Sequence, residues 1–75
     1  MTKIAIVTGG TRGIGASISK KLKSSNFDVI ANYASNEDAA KSFSKENSIE
    51  VIKWDVSNFD ECKKSVNRIY EDYKN

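Results

Sequence analysis

An α/β architecture on a parallel sheet is predicted by three features of this 75-residue sequence. Three short apolar runs alternate with three stretches of helical periodicity, and no proline interrupts either kind. All four glycines fall within "TGGTRGIG", residues 8–15, directly after the apolar run "IAIV". The resulting order is β-α-β-α-β-α. Short strands with little polar alternation, joined by helices, imply parallel pairing through right-handed crossovers. This pattern is the first half of a doubly wound sheet, with strand order 3-2-1 and a helix after each strand.

Residues 4–8 form the first β-rich run, ended by the glycine cluster. From Gly13, the apolar residues Ile14, Ile18 and Leu22 recur every four positions and predict a helix with that stripe inward. "KSSNFD" breaks it, and "DVIANY" (28–33) reads as the second strand. In "ASNEDAAKSFSKEN", Ser35 or Asn36 can cap a second helix, with Glu37 and Asp38 in its first turn and lysines later, as the helix dipole favours. "IEVIKWD" (49–55) is the third strand. Ser57 and Asn58 are cap candidates for a third helix, on which Phe59, Cys62, Val66, Ile69, Tyr70 and Tyr73 share one face.

The length allows one small domain, residues 1–75, of marginal stability, since such a chain buries only a little over ~60% of its unfolded surface. Twelve basic residues against ten acidic ones leave a formal charge of +2, too balanced to indicate a nucleic-acid or membrane partner. The lysines of "SKKLK" (19–23) read as a solvated helix face, because no aromatic stacking pattern accompanies them. One cysteine and no histidine exclude an internal disulfide and His-based metal or triad chemistry, so no metal site is expected. Cys62 reads as a core thiol. The opening "MTKIAIV" is too short an apolar run for a signal peptide or a membrane span, so a cytoplasmic location is expected.

A loop between a first strand and a first helix is where a doubly wound fold holds a pyrophosphate, against unpaired amides at the positive helix end. Gly9 would permit the tight turn, Gly13 close backbone approach, and Gly15 close packing of helix on sheet. A glycine-rich turn without a ligand is the alternative. Some 20 residues beyond the loop, where NAD-preferring sites carry an acid, stand Tyr33 and Ala34. Asp28 lies at the wrong end of its strand, and Glu37 and Asp38 fall in the next helix. Arg12, one of two arginines, stands inside the loop, where a guanidinium can pair a 2′-phosphate. A solvated loop residue is its other reading. The missing acid and the present base favour NADP(H).

The spacing T-G-x-x-x-G-I-G at Thr8, Gly9, Gly13, Ile14 and Gly15 resembles the cofactor loop of the short-chain dehydrogenase/reductase family, whose fold is of the Rossmann type. "WDVS" at the third strand's end resembles the family's Asp-Val/Leu pair. By that resemblance Asp55 and Val56 are adenine contacts; a strand-end turn is the other role open to Asp55. The candidate cofactor-binding set is therefore Gly9, Thr11, Arg12, Gly13, Ile14, Gly15, Tyr33, Ala34, Asp55 and Val56. "VTGGTRGIGASISKKLK", "ANYASNEDAAKSF" and "VIKWDVS" together resemble the family's NADPH-dependent acetoacetyl-CoA reductases, which serve polyhydroxybutyrate synthesis. The 3-oxoacyl-acyl-carrier-protein reductases of fatty-acid synthesis are the near alternative, and a non-catalytic NADP(H)-binding module or one chain of a split enzyme are further ones.

The family places its catalytic serine, tyrosine and lysine in a second half, after an "NNAG"-like fourth strand. The resemblance thus implies a dinucleotide-binding half with the catalytic half absent, and no catalytic residue is assigned here. An acyl-thioester substrate is implied only for the full-length family, whose members are usually tetrameric. The 75 residues alone are expected to be inactive and, with the first strand left as an edge, prone to self-association. "YEDYK" does supply Tyr70 and Lys74 at Y-x-x-x-K spacing, but Tyr70 belongs to the apolar stripe and reads as a packing residue beside a solvated lysine.

Overall fold

Ile6 lies opposite Ile30, and Ala31 opposite Val51, in two parallel ladders that join the three apolar runs. The computed structural model describes residues 3–73. Its elements run β1 (Lys3–Val7), α1 (Gly13–Ser24), β2 (Phe27–Tyr33), α2 (Glu37–Asn47), β3 (Glu50–Lys53) and α3 (Phe59–Tyr73). The sheet order is β1-β2-β3, the expected 3-2-1 order counted from the other edge.

β2 is the centre of the molecule. Successive residues of a strand face opposite sides, and both faces of β2 are covered. Val29 and Ala31 pack with Phe43 and Ile49, joined by Ala16 and Leu22 of α1. Ile30 packs on the other side with Trp54 and Ile69, joined by Ile52 and Cys62. This double coverage is why the strand's sequence lacks polar alternation. It also bears out Cys62 as a packing thiol, half-buried at the margin of that cluster.

The helix starts follow local chemistry. Asn36 Oδ1 accepts from the Ala39 amide at 3.1 Å, and Asn58 Oδ1 accepts from the Glu61 amide at 3.1 Å. Asn36 and Asn58 are therefore the caps, not Ser35 or Ser57. The third strand is shorter than 49–55: Trp54 makes one last amide bond to the Tyr33 carbonyl, at 3.1 Å, before the chain turns toward α3.

Two inward stripes differ from expectation. On α1, Ile14 is 81% exposed and Ile18 47%, while Ser19 is fully buried beside the half-buried Ala16 and Leu22. The helix lies so close to the sheet that small side chains occupy the contact, and steps of three replace the apolar steps of four. On α3 only Ile69 is buried, with Cys62 and Tyr73 partly so, and Phe59, Val66 and Tyr70 are exposed. Tyr70 is thus not a packing residue. Exposed too are Ile4 and Ile6 on β1, an edge of the described sheet.

Tyr73 ties α3 to β3. Its hydroxyl donates to Glu50 Oε1 at 2.6 Å. That bond, then burial and the nearby carboxylates, pushes the phenol from an ordinary 10.0 up to about 12. A raised pKa means that the contribution is complete below about pH 10, the value for the unfolded chain, and is lost as pH rises through about 12. Tyr73→Phe is expected to cost about 0.5–1 kcal/mol at neutral pH, the bond being largely open to water. For a domain of this size that lowers Tm by roughly 2–8 °C, with the gap to the parent chain closing toward pH 12. Thermal circular dichroism across pH checks this, and equal melting of the two chains at pH 7 would contradict it.

Candidate functional site

A cleft of about 550 Å³ opens at the C-terminal ends of β1 and β2. Gly9, Thr11, Arg12 and Gly13 form one wall, and Tyr33, Ala34, Ser35 and Asn36 the other. In open parallel sheets, ligands sit outside the carboxyl ends of the strands.

Each glycine of the loop has its own steric reason. Gly9 and Gly13 have φ of +63° and +55°, a region costly for a residue with a Cβ. A Cβ on Gly13 would meet nothing within 4 Å, so the cleft side of the loop is open to close approach. A Cβ on Gly15 would collide with the Gly9 carbonyl oxygen. Gly15 therefore lets α1 begin against the turn rather than against the sheet, a correction to its expected role. Close packing of helix on sheet falls instead to Gly10, where a Cβ would come 2.7 Å from Ser19 Oγ and 2.9 Å from the Ala31 Cβ. Ser19 Oγ donates to the Gly10 carbonyl at 3.0 Å and closes that contact.

The start of α1 differs electrostatically from the starts of the other two helices. α2 and α3 have an Asn side-chain cap and two acids each in the first turn. α1 has neither: Arg12 occupies the cap position in extended conformation, and its side chain bonds no amide of the turn. The first amides of a helix have no partner within it and carry partial positive charge. At α1 they end beside the cleft, with a guanidinium in place of a carboxylate. The arrangement suits an anion such as a pyrophosphate.

The opposite wall presents no acid. Glu37, one residue beyond it, bonds Lys53 Nζ at 3.0 Å. That hydrogen bond and its charge hold the Glu37 carboxyl below the usual range and the Lys53 ammonium above it. Asp28 lies at the far end of β2, half-buried.

Of the ten candidate residues, Gly9, Thr11, Arg12, Gly13, Tyr33 and Ala34 line the cleft together. Ile14 lies in the first turn of α1 with its side chain exposed, and Gly15 lies behind the loop against Gly9. Asp55 and Val56 are exposed just past β3 and do not line the cleft. Asp55 Oδ1 accepts from the Ser57 amide at 2.9 Å and the Ser57 hydroxyl at 2.6 Å. The hydroxyl bond, then the amide bond, keeps the Asp55 carboxyl below its ordinary pKa, so it is a carboxylate at neutral pH. The strand-end turn is therefore real, whatever else Asp55 holds. Tyr70 is 64% exposed on α3 and away from the cleft lining, and Lys74 lies outside the described residues.

Sequence reasoning missed Ser35, Asn36, Gly10 and Asn32. Ser35 and Asn36 entered only as possible caps although both line the cleft, and Gly10 fell between the positions of the glycine pattern. Asn32 had a signal: it is the polar residue between Ala31 and Tyr33 in a strand buried on both faces, and it is 2% exposed. Among the described residues no cluster of three or more His, Cys, Asp or Glu could hold a metal ion, and no helix is long and apolar enough to cross a membrane.

The family model for short chain dehydrogenases matches residues 3–75. Acetoacetyl-CoA reductase of Paracoccus denitrificans is 49% identical over 72 residues, covering 96% of this chain and 30% of the reductase. A 3-oxoacyl-[acyl-carrier-protein] reductase of Staphylococcus aureus is 32% identical over 78 residues, 97% of this chain and 32% of that one. The chain thus spans about a third of the length of the curated relatives it matches. Among solved structures, BdcA of E. coli in complex with NADPH superposes with a TM-score of 0.82 at 30% identity, covering 88% of this chain and 27% of BdcA.

Proposed function

The chain belongs to the short-chain dehydrogenase family, and on that premise we propose that it is the NADP(H)-binding portion of an acetoacetyl-CoA reductase. The observation that carries the cofactor reading is the uncapped, acid-free start of α1, opening on a cleft with Arg12 on its wall. In this reading the amides of Gly13, Ile14 and Gly15 face the pyrophosphate, and Gly13 lets it come close. Thr11, Tyr33 and Ala34 border the adenosine ribose, Arg12 pairs the 2′-phosphate, and Asp55 and Val56 flank the adenine. The nicotinamide, when bound, supplies the hydride that reduces a 3-oxo group to the alcohol. The residues described here bind and orient that dinucleotide, and none is assigned a catalytic role. Identity of 49% to the CoA-thioester reductase against 32% to the carrier-protein reductase, over similar lengths, supports acetoacetyl-CoA as the substrate of the whole enzyme.

Amide NMR spectra recorded with increasing NADPH test the site. Shifts are expected to concentrate at Gly13–Gly15, Tyr33–Asn36 and Asp55–Val56. Shifts centred elsewhere, or none at saturating NADPH, would overturn the reading.

A further inference from the structure

We propose that Asn32 is the positioning residue of the dinucleotide site, clamping the glycine turn to the end of β3; the inference rests on the cofactor reading above. A carboxamide in a strand buried on both faces is expensive unless every polar atom is paired. Here the pairing joins two separate parts of the site. Asn32 Oδ1 accepts from the Gly9 amide at 3.1 Å, and Asn32 Nδ2 donates to the Trp54 carbonyl at 2.9 Å. The Asn32 main-chain carbonyl also accepts from the Gly10 amide at 3.0 Å.

Two consequences follow from this geometry. The amides of Gly9 and Gly10 both end on Asn32, so they shape the turn and leave anion binding to the amides that begin α1. Trp54 directly precedes Asp55, so one side chain sets the separation between the pyrophosphate turn and the proposed adenine contact. The Gly9 amide can only donate and the Trp54 carbonyl can only accept. A carboxamide offers an acceptor and a donor on separate atoms, whereas an ionised carboxylate offers acceptors alone and an alkyl group neither.

The test uses Asn32→Leu, which keeps bulk and removes both bonds, and Asn32→Thr, whose hydroxyl can keep one. Amide hydrogen exchange at Gly9 is measured relative to Val29 and Ile30 of β2, and NADPH affinity is followed by the emission of Trp54, the single tryptophan. The Leu variant is expected to speed relative exchange at Gly9 about tenfold and to weaken NADPH about tenfold, with Thr between it and the parent. If Asn32→Leu does not fold, Asn32→Thr carries the comparison. Unchanged relative exchange at Gly9, or faster exchange with unaltered NADPH affinity, would overturn the proposal. A parent chain that binds no NADPH would refute the cofactor reading by itself, and the exchange ratio would still decide whether Asn32 holds the turn.

Discussion

Gly15→Ala is expected to weaken NADPH binding on the order of 100-fold or more, the largest effect of any single methyl group in the site. The added Cβ would overlap the Gly9 carbonyl oxygen. Neither partner can move cheaply. The Gly9 and Gly10 amides are tied to Asn32, and Ala16, the next residue of α1, donates to the Arg12 carbonyl at 3.1 Å. Relief must come from displacing the turn or the first turn of α1, and either displacement carries the anion-facing amides away from their places. Gly13→Ala separates the two costs. Its Cβ meets no protein atom, so stability falls only by the cost of a positive φ, about 1 kcal/mol, and any further loss of NADPH comes from the methyl group standing where the pyrophosphate approaches. Melting curves and NADPH titrations of both variants check this. Parent-like affinity in Gly15→Ala would show that the start of α1 does not hold the cofactor.

Arg12→Ala is expected to weaken NADPH by about 10- to 100-fold while leaving NADH within about twofold. The range is the worth of a charge-assisted bond to the 2′-phosphate, roughly 1.5–3 kcal/mol. Arg12 is the charged residue of the cleft lining, and Lys53 is engaged by Glu37, the residue that follows that lining in the chain. No other cleft-lining side chain is cationic. NADH lacks that phosphate, so removing the guanidinium costs it only the weaker attraction between that charge and the pyrophosphate. Equal losses for both dinucleotides would show that Arg12 serves the fold or the pyrophosphate instead.

Elements whose signal is local were legible in the sequence. The alternation of β-rich runs and helical periods placed all six elements and the strand order, because parallel pairing with right-handed crossovers leaves few arrangements. The glycine loop was legible because a tight turn and close approach demand particular residue types, and Tyr33 and Ala34 because the count of some 20 residues from the loop reaches them. What escaped was decided by neighbours distant in the chain. Ser19 is buried and Ile18 is not because Gly10 lets the helix sink toward Ala31, a contact that periodicity does not contain. Tyr70 fits an apolar stripe by spacing, but α3 meets the sheet through Cys62, Ile69 and Tyr73. Asn32 looks like an interruption of a β-run until its partners, 23 and 22 residues away, are seen. Asp55 carries a turn that local chemistry predicts and an adenine contact that only the family resemblance suggests.

Calorimetric titration of the 75-residue chain with NADPH and, in parallel, with NADH tests the central claim most directly. The account predicts saturable one-to-one binding of NADPH with Kd at least about tenfold below that for NADH, the smallest margin a charge-assisted bond to the 2′-phosphate would give. An absence of saturable NADPH binding by the folded chain, or an affinity for NADH that equals or exceeds it, would contradict the account.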